Sequence, residues 1–276
     1  NWLSYHLRSA AFYWKSHLWV ALAVAVATAV LTGALVVGDS MRHSLRELAV
    51  GRLGRVDYAL VTPRLFGDDL GKRMAKLLPE TNPAALLMLR GAATHAVSRT
   101  RVGRINILGV DESFWALDLA AQPPSITHLE GRSIVLNEPL ADELGAKVGD
   151  DVILHLGKPS AISTETLLGR RDETTATLRL TVAAVLPPRG LAALEFNPRQ
   201  AFPSNAFVPL STLQRALDQP EKANVLLVAA SNATDDENAE PALQPALAAS
   251  VTLADVGLQL RFVNQLPVIE SDALLI

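Results

Sequence analysis

The chain has 276 residues with 49% hydrophobic content, a positive mean hydropathy and no cysteine. This composition excludes a disordered chain, a disulfide framework and any thiolate metal site. All 28 acidic residues and 23 of the 25 lysines and arginines follow Gly38, so that part carries a net charge of −5, which excludes a nucleic-acid-binding surface.

Residues 1–17 have the spacing of an amphipathic helix, and six of the 14 aromatic residues lie in the first 19 positions. The apolar residues of one helical face are Leu3, Leu7, Ala10, Ala11 and Trp14. Aromatic rings with a polar edge collect at the membrane–water boundary. We therefore expect a helix that lies in the interface against membrane lipid, with an ordinary amphipathic core helix as the alternative.

Residues 18–38 form an apolar run without a charged residue. A helix of this length spans the ~30 Å hydrocarbon core of a bilayer. The run is longer than the roughly 7–15 residues of a signal-peptide core, and no small-residue cleavage site follows it. The segment therefore predicts a transmembrane helix, with a buried helix of a soluble protein as the alternative.

Small residues recur every four positions along this helix. They form a stripe of Ala21, Ala25, Ala29 and Gly33. Small side chains let helix backbones approach closely, and such packing drives helix association in lipid. The stripe predicts contact with another membrane helix, unless alanine is simply common in this segment.

Residues 39–55 keep helical spacing and predict a stalk that Gly51 and Gly54 end. At its start, Gly38-Asp39-Ser40 resembles the nucleophile block of the SGNH hydrolases. That family places the block after a short strand and adds a later D-x-x-H block, which does not occur here. A membrane-anchored hydrolase is therefore disfavoured, because the nucleophile would have no base.

Residues 56–276 alternate short strands and short helices, which predicts an α+β domain. We expect strands over residues 56–61, 134–137, 151–156, 178–186, 205–209, 224–230 and 258–263, and paired strands over residues 85–111 that turn near Gly103. We expect a capped helix over residues 68–78, helices over residues 138–144 and 241–250, and one that begins with a capping box between Ser211 and Gln214. Residues 158–177 and 231–240 read as polar segments.

The sequence offers no catalytic, cofactor or metal site. The run Gly157-Lys158-Pro159-Ser160 lacks the upstream glycine of a phosphate-binding loop. The six histidines are scattered singly, without the paired spacing of metal ligands. Adjacent acidic residues such as Asp68 and Asp69 read as a helix cap and a solvated surface. We expect no cofactor and no enzymatic activity.

Two runs, residues 38–46 and 53–61, are similar to the exit of the first membrane helix in FtsX-like ABC transporter permeases. Later pieces follow the order of the extracytoplasmic core domain of the MacB type. The positions that carry the resemblance are Gly38, Asp39, Ser40, Gly109, Asp111, Gly131, Arg132, Gly149 and Asp150. The resemblance implies four membrane helices per permease and a large domain between the first two. Because one such helix is present and the chain starts at Asn1, we expect residues to be missing at both ends.

The resemblance also implies a function, that of a permease subunit that couples cytoplasmic ATP hydrolysis to movement of an outer domain. Its partners would be an ABC ATP-binding subunit and a second permease protomer, in a homo- or heterodimer. Its role would be export, lipoprotein release or control of cell-wall enzymes. From the residues alone, a single-pass sensor with a ligand-binding extracytoplasmic domain is the alternative.

Orientation is the one property on which charge and resemblance disagree. Four arginines follow the span closely, against Arg8 and Lys15 before it, which favours an outside N-terminus. The resemblance implies a protein of the bacterial cytoplasmic membrane with residues after about 39 outside the cytoplasm. Long domains translocate largely regardless of their charge, so we follow the resemblance.

Overall fold

The computed structural model describes residues 12–118, 131–157, 175–196, 201–230, 236–263 and 266–271, together with Trp2, His6 and Arg8. The chain divides into two compact units, Asn1–Ala49 and Val50–Ile276. Most of the predicted interfacial helix and of the polar segment 158–177, with residues 231–235 of the second polar segment, lies outside the described residues.

The first unit is dominated by helix α1, Trp14–Leu53, which runs for 40 residues and continues into the second unit. Within the described residues it is the single helix whose length and composition would let it cross a membrane. Gly51 lies inside α1 and does not end it, which corrects the first of the two predicted stops. Gly54 follows the last helical residue and adopts a left-handed conformation, with φ of +60°.

The second unit contains ten strands and five α-helices among its described residues. The strands are β1 Tyr58–Gly67, β2 Thr81–His95, β3 Arg101–Val110, β4 Ser133–Asn137, β5 Asp151–Gly157, β6 Thr175–Leu186, β7 Asn205–Pro209, β8 Lys222–Ala230, β9 Leu258–Val263 and β10 Leu266–Ser271. The helices are α2 Leu70–Leu77, α3 Glu112–Trp115, α4 Glu138–Leu144, α5 Leu210–Ala216 and α6 Asp236–Ser250. Two 3-10 helices, Gly190–Ala193 and Leu253–Val256, complete the elements.

Strand β2 organises the sheet because it pairs with three other strands. Its first half pairs with β8, its second half with β5, and its other edge with β3. The ring of pairings β2-β3-β7-β4-β6-β5-β2 closes six strands into a mixed barrel, and β8 and β1 extend the sheet beside it. Strands β9 and β10 form a separate hairpin. The α+β class is thereby confirmed.

Alternate residues of the six barrel strands form one apolar cluster, as expected when one face of each strand points inward. Helices α4 and α5 contribute residues such as Leu140, Leu144 and Leu213 to the same cluster. A second cluster centres on Phe114, Trp115 and Phe207, whose ring centroids lie 5.0–5.9 Å apart. A third cluster joins β1, β8, α2 and α6.

The predicted turn near Gly103 is wrong, because Gly103 lies within β3. The chain turns at residues 96–100, where the His95 amide donates to the Thr100 carbonyl (2.9 Å) and the Arg99 amide donates to the His95 carbonyl (3.0 Å). Side chains close this turn: His95 Nδ1 lies 2.7 Å from Ser98 Oγ, which lies 2.9 Å from Thr100 Oγ1. Gly103 is therefore a strand residue, and the polar side chains of His95, Ser98 and Thr100 stabilise the turn.

The predicted capping box of α5 is also wrong. The helix begins at Leu210, directly after Pro209, and has no side-chain cap. Thr212 donates instead to the Gly131 carbonyl (2.9 Å), and Gln214 donates to the Asp68 carboxylate (2.9 Å). These side chains make long-range contacts in place of the local ones that the pattern suggested.

Other local predictions need correction. Helix α2 begins at Leu70, and Asp69 makes no side-chain cap because its carboxylate pairs with Arg73. Helix α6 begins at Asp236, so residues 236–240 are helical. A capping box forms at the second 3-10 helix, between Thr252 and Asp255, and the sequence analysis does not predict it.

Asp255 links this 3-10 helix to β1 and α2. Its carboxylate accepts hydrogen bonds from the Gly67 amide (2.8 Å), the Thr252 amide (2.8 Å) and an Arg73 guanidinium nitrogen (2.5 Å). Burial by itself raises the pKa of this carboxyl. The hydrogen bonds from Thr252 and Gly67, with the charge of Arg73, outweigh burial and hold the pKa below the ordinary value of 3.8.

We predict that Asp255 contributes to acid sensitivity. A depressed pKa in the folded state stabilises the fold above the unfolded pKa of about 4, and that contribution is lost as the pH falls through the folded pKa. The Asp255→Asn variant should therefore be less stable than the parent at neutral pH, and the two should converge as the pH falls through the folded-state pKa of Asp255, below 3.8. Denaturant midpoints measured across this range check this, and a constant difference at every pH would contradict it.

Candidate functional site

The four residues predicted for membrane-helix packing all lie in α1 and are exposed in the single chain. Gly33 has open space around it, with no heavy atom within 4 Å of an added Cβ. The neighbouring hydroxyls are satisfied within the helix, since Thr28 donates to the Val24 carbonyl and Thr32 to the Thr28 carbonyl (both 2.6 Å). The stripe therefore presents small side chains without an unsatisfied polar group.

Gly38, Asp39 and Ser40 lie in the uninterrupted part of α1. A nucleophile block needs a sharp strand-to-helix turn that exposes the serine, and a continuous helix provides none. The remaining motif positions fall in the second unit.

Two of the motif pairs come together at β6. The Thr181 amide donates to the Arg132 carbonyl (2.9 Å), and the Gly149 amide donates to the Val182 carbonyl (2.8 Å). The Asp150 carboxylate accepts from the Lys147 amide (2.8 Å) and closes the turn before β5. Gly131 and Gly149 both have positive φ, of 65° and 94°. The two motif pairs, Gly131-Arg132 and Gly149-Asp150, therefore lie in turns whose hydrogen bonds align β6 with the neighbouring strands.

Gly109 and Asp111 lie together elsewhere, at the end of β3. An added Cβ at Gly109 would be 2.9 Å from Leu213, so this glycine permits α5 to approach the sheet closely. Asp111 caps α3 by accepting from the Ser113 amide (3.0 Å) and the Phe114 amide (3.4 Å). Their roles in the structure are packing and capping.

The structure brings together one polar trio that the sequence did not indicate. His95 Nδ1 lies 2.7 Å from Ser98 Oγ, and its Nε2 lies 3.5 Å from the Asp150 carboxylate. The residue types match an acyl-transfer triad. However, Ser98 Oγ also contacts Thr100 Oγ1 and accepts from the Thr100 amide (3.3 Å), so its contacts are those of a closed turn. In the described residues, no group of three histidines or carboxylates could hold a metal.

The end of α1 is built into the second unit, and we define residues 50–57 as the junction. The Arg55 amide donates to the Leu117 carbonyl (2.9 Å), and the Asp57 amide donates to the Val228 carbonyl (3.0 Å). Val56 is buried in the aromatic cluster, and Leu53 packs against it. The junction is therefore fixed by backbone hydrogen bonds on both sides of a buried apolar residue.

Gly54 sets the direction of the chain at the junction. An added Cβ there would lie 2.8 Å from the Leu117 carbonyl oxygen and 3.4 Å from Leu191. Two residues earlier, the Arg52 side chain is buried, and its guanidinium lies 5.2 Å from the centre of the Phe202 ring. A positive φ and a close backbone approach both require glycine at position 54.

Two buried asparagines support the segment that packs against Gly54. Asn205 Nδ2 donates to the Ala192 (3.2 Å) and Leu194 (3.0 Å) carbonyls, and its backbone amide donates to Asn137 Oδ1 (3.0 Å). Asn137 also caps α4 by accepting from the Leu140 amide (3.2 Å). The junction thus packs against a segment that hydrogen bonds from Asn137 and Asn205 hold to the barrel strands β4 and β7.

A helix long and apolar enough to cross a membrane, followed by a mixed-barrel α+β domain, defines the class of the protein. The chain belongs to the family of the MacB-like periplasmic core domain, whose model matches residues 18–246. The expected MacB and FtsX-type ABC transporter permease relationship is thereby confirmed. Permease components of this kind are generally non-enzymatic. With the apolar helix, this family fits a membrane protein that carries an extracytoplasmic domain.

Three solved structures resemble the chain. The extracellular domain of the noncanonic ABC-type transporter YknZ from Gram-positive bacteria is 12% identical, with a TM-score of 0.41, over 64% of this chain and 86% of that one. The periplasmic region of MacB from Actinobacillus actinomycetemcomitans is 12% identical, with a TM-score of 0.42, over 71% and 85%. A domain of a putative permease protein from Porphyromonas gingivalis is 10% identical, with a TM-score of 0.41, over 71% and 73%. No curated protein matches the chain.

We predict opposite effects for two glycines of the junction. Gly54→Ala should lower the free energy of unfolding by at least about 1–2 kcal/mol, because alanine is strained at positive φ and its Cβ meets the Leu117 carbonyl. Gly51→Ala should raise it by up to ~1 kcal/mol, because Gly51 is helical and has open space around it. Denaturant unfolding followed by tryptophan fluorescence measures both. Equal effects at the two positions would contradict a fixed junction.

Proposed function

We propose that the chain is a permease subunit that couples ATP hydrolysis by a cytoplasmic partner to movement of its extracytoplasmic domain. The observation that carries this proposal is the continuity of α1, which runs from Trp14 to Leu53 and ends in the buried junction. A displacement of the helix end cannot be absorbed by a flexible linker, because the hydrogen bonds of Arg55 and Asp57 begin directly after it.

The length of α1 supports a mechanical role. At a rise of 1.5 Å per residue, its 40 residues extend for about 60 Å, roughly twice the hydrocarbon thickness of a bilayer. A simple anchor needs about 20 residues. The charged part of α1 that follows the apolar run begins at Asp39 and includes an exposed pair, His43 and Glu47, whose side chains are separated by 3.6 Å. Packed helices shift between discrete arrangements, so a long continuous helix can transmit displacement.

The remaining parts of the proposal rest on the apolar and aromatic residues of the first 38 positions, and on the family for the orientation, the partners and the role. Residues after about 39 lie outside the cytoplasm, residues 1–17 lie in the interface against lipid, and residues 18–38 span the membrane. The partners are an ABC ATP-binding subunit and a second permease protomer, in a homo- or heterodimer. The work performed is export, lipoprotein release or control of a cell-wall enzyme.

The small-residue stripe provides a test of helix packing in this assembly. Ala25→Leu and Gly33→Leu should disturb the complex more than Val26→Leu, because overpacking a close helix crossing typically costs about 1–3 kcal/mol. All three positions are exposed in the described chain, so the three substitutions start from the same degree of exposure. Recovery of the detergent-solubilised complex measures the effect. Equal recovery for all three variants would count against a packed stripe.

Insertion of two glycines after Ser44 tests transmission along the stalk. Each glycine costs roughly 1 kcal/mol in a helix interior, and the two residues rotate the following face by about 200°. Partner ATPase activity should persist, while the ATP-dependent movement of the outer domain should be lost. A spin label on Val97→Cys reports this movement, because that residue is 83% exposed and the chain has no other cysteine.

Two control insertions at the same place separate stiffness from rotation. Four alanines keep the helix and return its face to within about 40° of the original direction, so movement should largely be retained. Two alanines keep stiffness but rotate the face, so movement should be impaired. If the two-glycine variant moves like the parent, the stalk is only a tether, and the proposed coupling fails although the family assignment stands.

A further inference from the structure

The β2–β3 hairpin differs in charge from the rest of the second unit. Residues 81–110 contain four arginines, Arg90, Arg99, Arg101 and Arg104, and no aspartate or glutamate, whereas the chain after Gly38 carries a net charge of −5. We call these four side chains the basic strip. Such a concentration of one sign on an acidic domain creates a local positive potential.

No carboxylate of the described chain neutralises the basic strip. All four arginines are exposed, and none has a described ion pair. The acidic groups at this end of the barrel have other partners: the Asp151 carboxylate accepts from Arg179 (2.8 Å) and Thr181 (2.8 Å), and Asp150 accepts from the Lys147 amide (2.8 Å). The guanidinium groups therefore keep their hydrogen-bond donors available to solvent.

The backbone at two of these arginines is in a conformation that favours glycine. Arg99 and Arg104 have φ values of 59° and 60°. Arg104 also lies at a β-bulge, where the register between β2 and β3 shifts beside Gly91. Bulges redirect side chains, and left-handed non-glycine residues are often tied to function. Both arginines thus adopt a backbone conformation that glycine would adopt with less strain.

We propose that the outward face of the β2–β3 hairpin is a docking surface for an acidic segment of a partner protein. The outer edge of β2 is paired with β8 and β5, whereas β7 covers residues 106–110 of β3. Because the arginines present exposed guanidinium groups, the partner is recognised by side chains. Arginine forks match carboxylates in bidentate geometry, which suits a segment with several aspartates or glutamates.

The shape of the strip favours this occupant over other anions. Arg101 and Arg104 lie three positions apart in β3, which is about 10 Å along an extended strand, and Arg99 lies in the adjoining turn, so the strip matches several carboxylates in a row better than one small anion. The hairpin contains no phenylalanine, tyrosine or tryptophan on which bases would stack. At the hairpin tip, Val97 is the one large apolar side chain that is exposed, and a single valine offers little area for insertion into a membrane.

The first experiment measures binding of a fluorescent decaglutamate peptide to the full chain in neutral detergent at low ionic strength. The double variant Arg101→Gln/Arg104→Gln should bind about tenfold more weakly, because two charge-assisted contacts are lost. The matched control is Arg64→Gln/Arg189→Gln, which removes two exposed arginines from other surfaces and should change binding less than twofold. Equal losses in the two double variants would overturn the proposal, as would stronger binding to phosphatidylglycerol vesicles than to the peptide.

The second experiment places a photo-crosslinking residue at Val97 of the full chain in its native membrane. The proposal requires a crosslink to another protein, at a segment with at least three acidic residues, that disappears in Arg101→Gln/Arg104→Gln. A crosslink to lipid, to a second copy of this chain or to a neutral segment overturns it, as does a crosslink that persists in the variant. The coupling proposed above is independent of this result, because it is tested by the insertions after Ser44.

Discussion

The structure depends on how a helix end is fixed to a domain at Gly54. A helix normally leaves its last carbonyl groups without partners, and the chain that follows is free to bend. Here the left-handed Gly54 redirects the chain so that Arg55 donates to the Leu117 carbonyl, and Val56 enters the aromatic cluster. One backbone conformation thus determines how the residues after the helix enter the hydrogen bonds and the core of the second unit.

The barrel gives this connection a rigid support. Strand β2 is shared between the closed ring and the branch formed by β8 and β1, so a force at the start of β1 reaches β2 through two strand pairings. A second path for force starts at Leu191, which lies close to Gly54, and continues through the carbonyl of Ala192 to the side chains of Asn137 and Asn205. Buried amides that are fully hydrogen-bonded make such a route specific, because an alternative arrangement would leave polar groups unsatisfied.

The sequence was most informative where local signals and burial agreed. Strands β7 and β9 and helix α4 were predicted to the residue, since Asn137 and Gly145 are strong signals for the start and end of α4. Closure of the barrel could not be predicted, because β2 uses pairings with three distant strands. Glycine is common in turns, so Gly103 predicts the turn between β2 and β3. The side chains of His95, Ser98 and Thr100 form that turn instead.

The junction and the basic strip were hidden from the sequence for related reasons. Leu117 lies 62 positions after Arg55, so the residues near Gly54 do not indicate that the Arg55 amide donates to the Leu117 carbonyl. Arginines are common on surfaces, and their significance appears only when the fold shows which of them are paired. Arg73 contributes its charge to Asp255 and Arg179 to Asp151, and Arg52 lies buried beside Phe202. Each of these arginines acts within the fold, whereas those of the β2–β3 hairpin have no ion pair among the described residues. Arg90 lies opposite Asn106 and Arg101 lies opposite Thr94, so the hairpin carries these charges without the cost of directly opposed like charges. An acidic partner would add the ion pairs that the described chain does not supply.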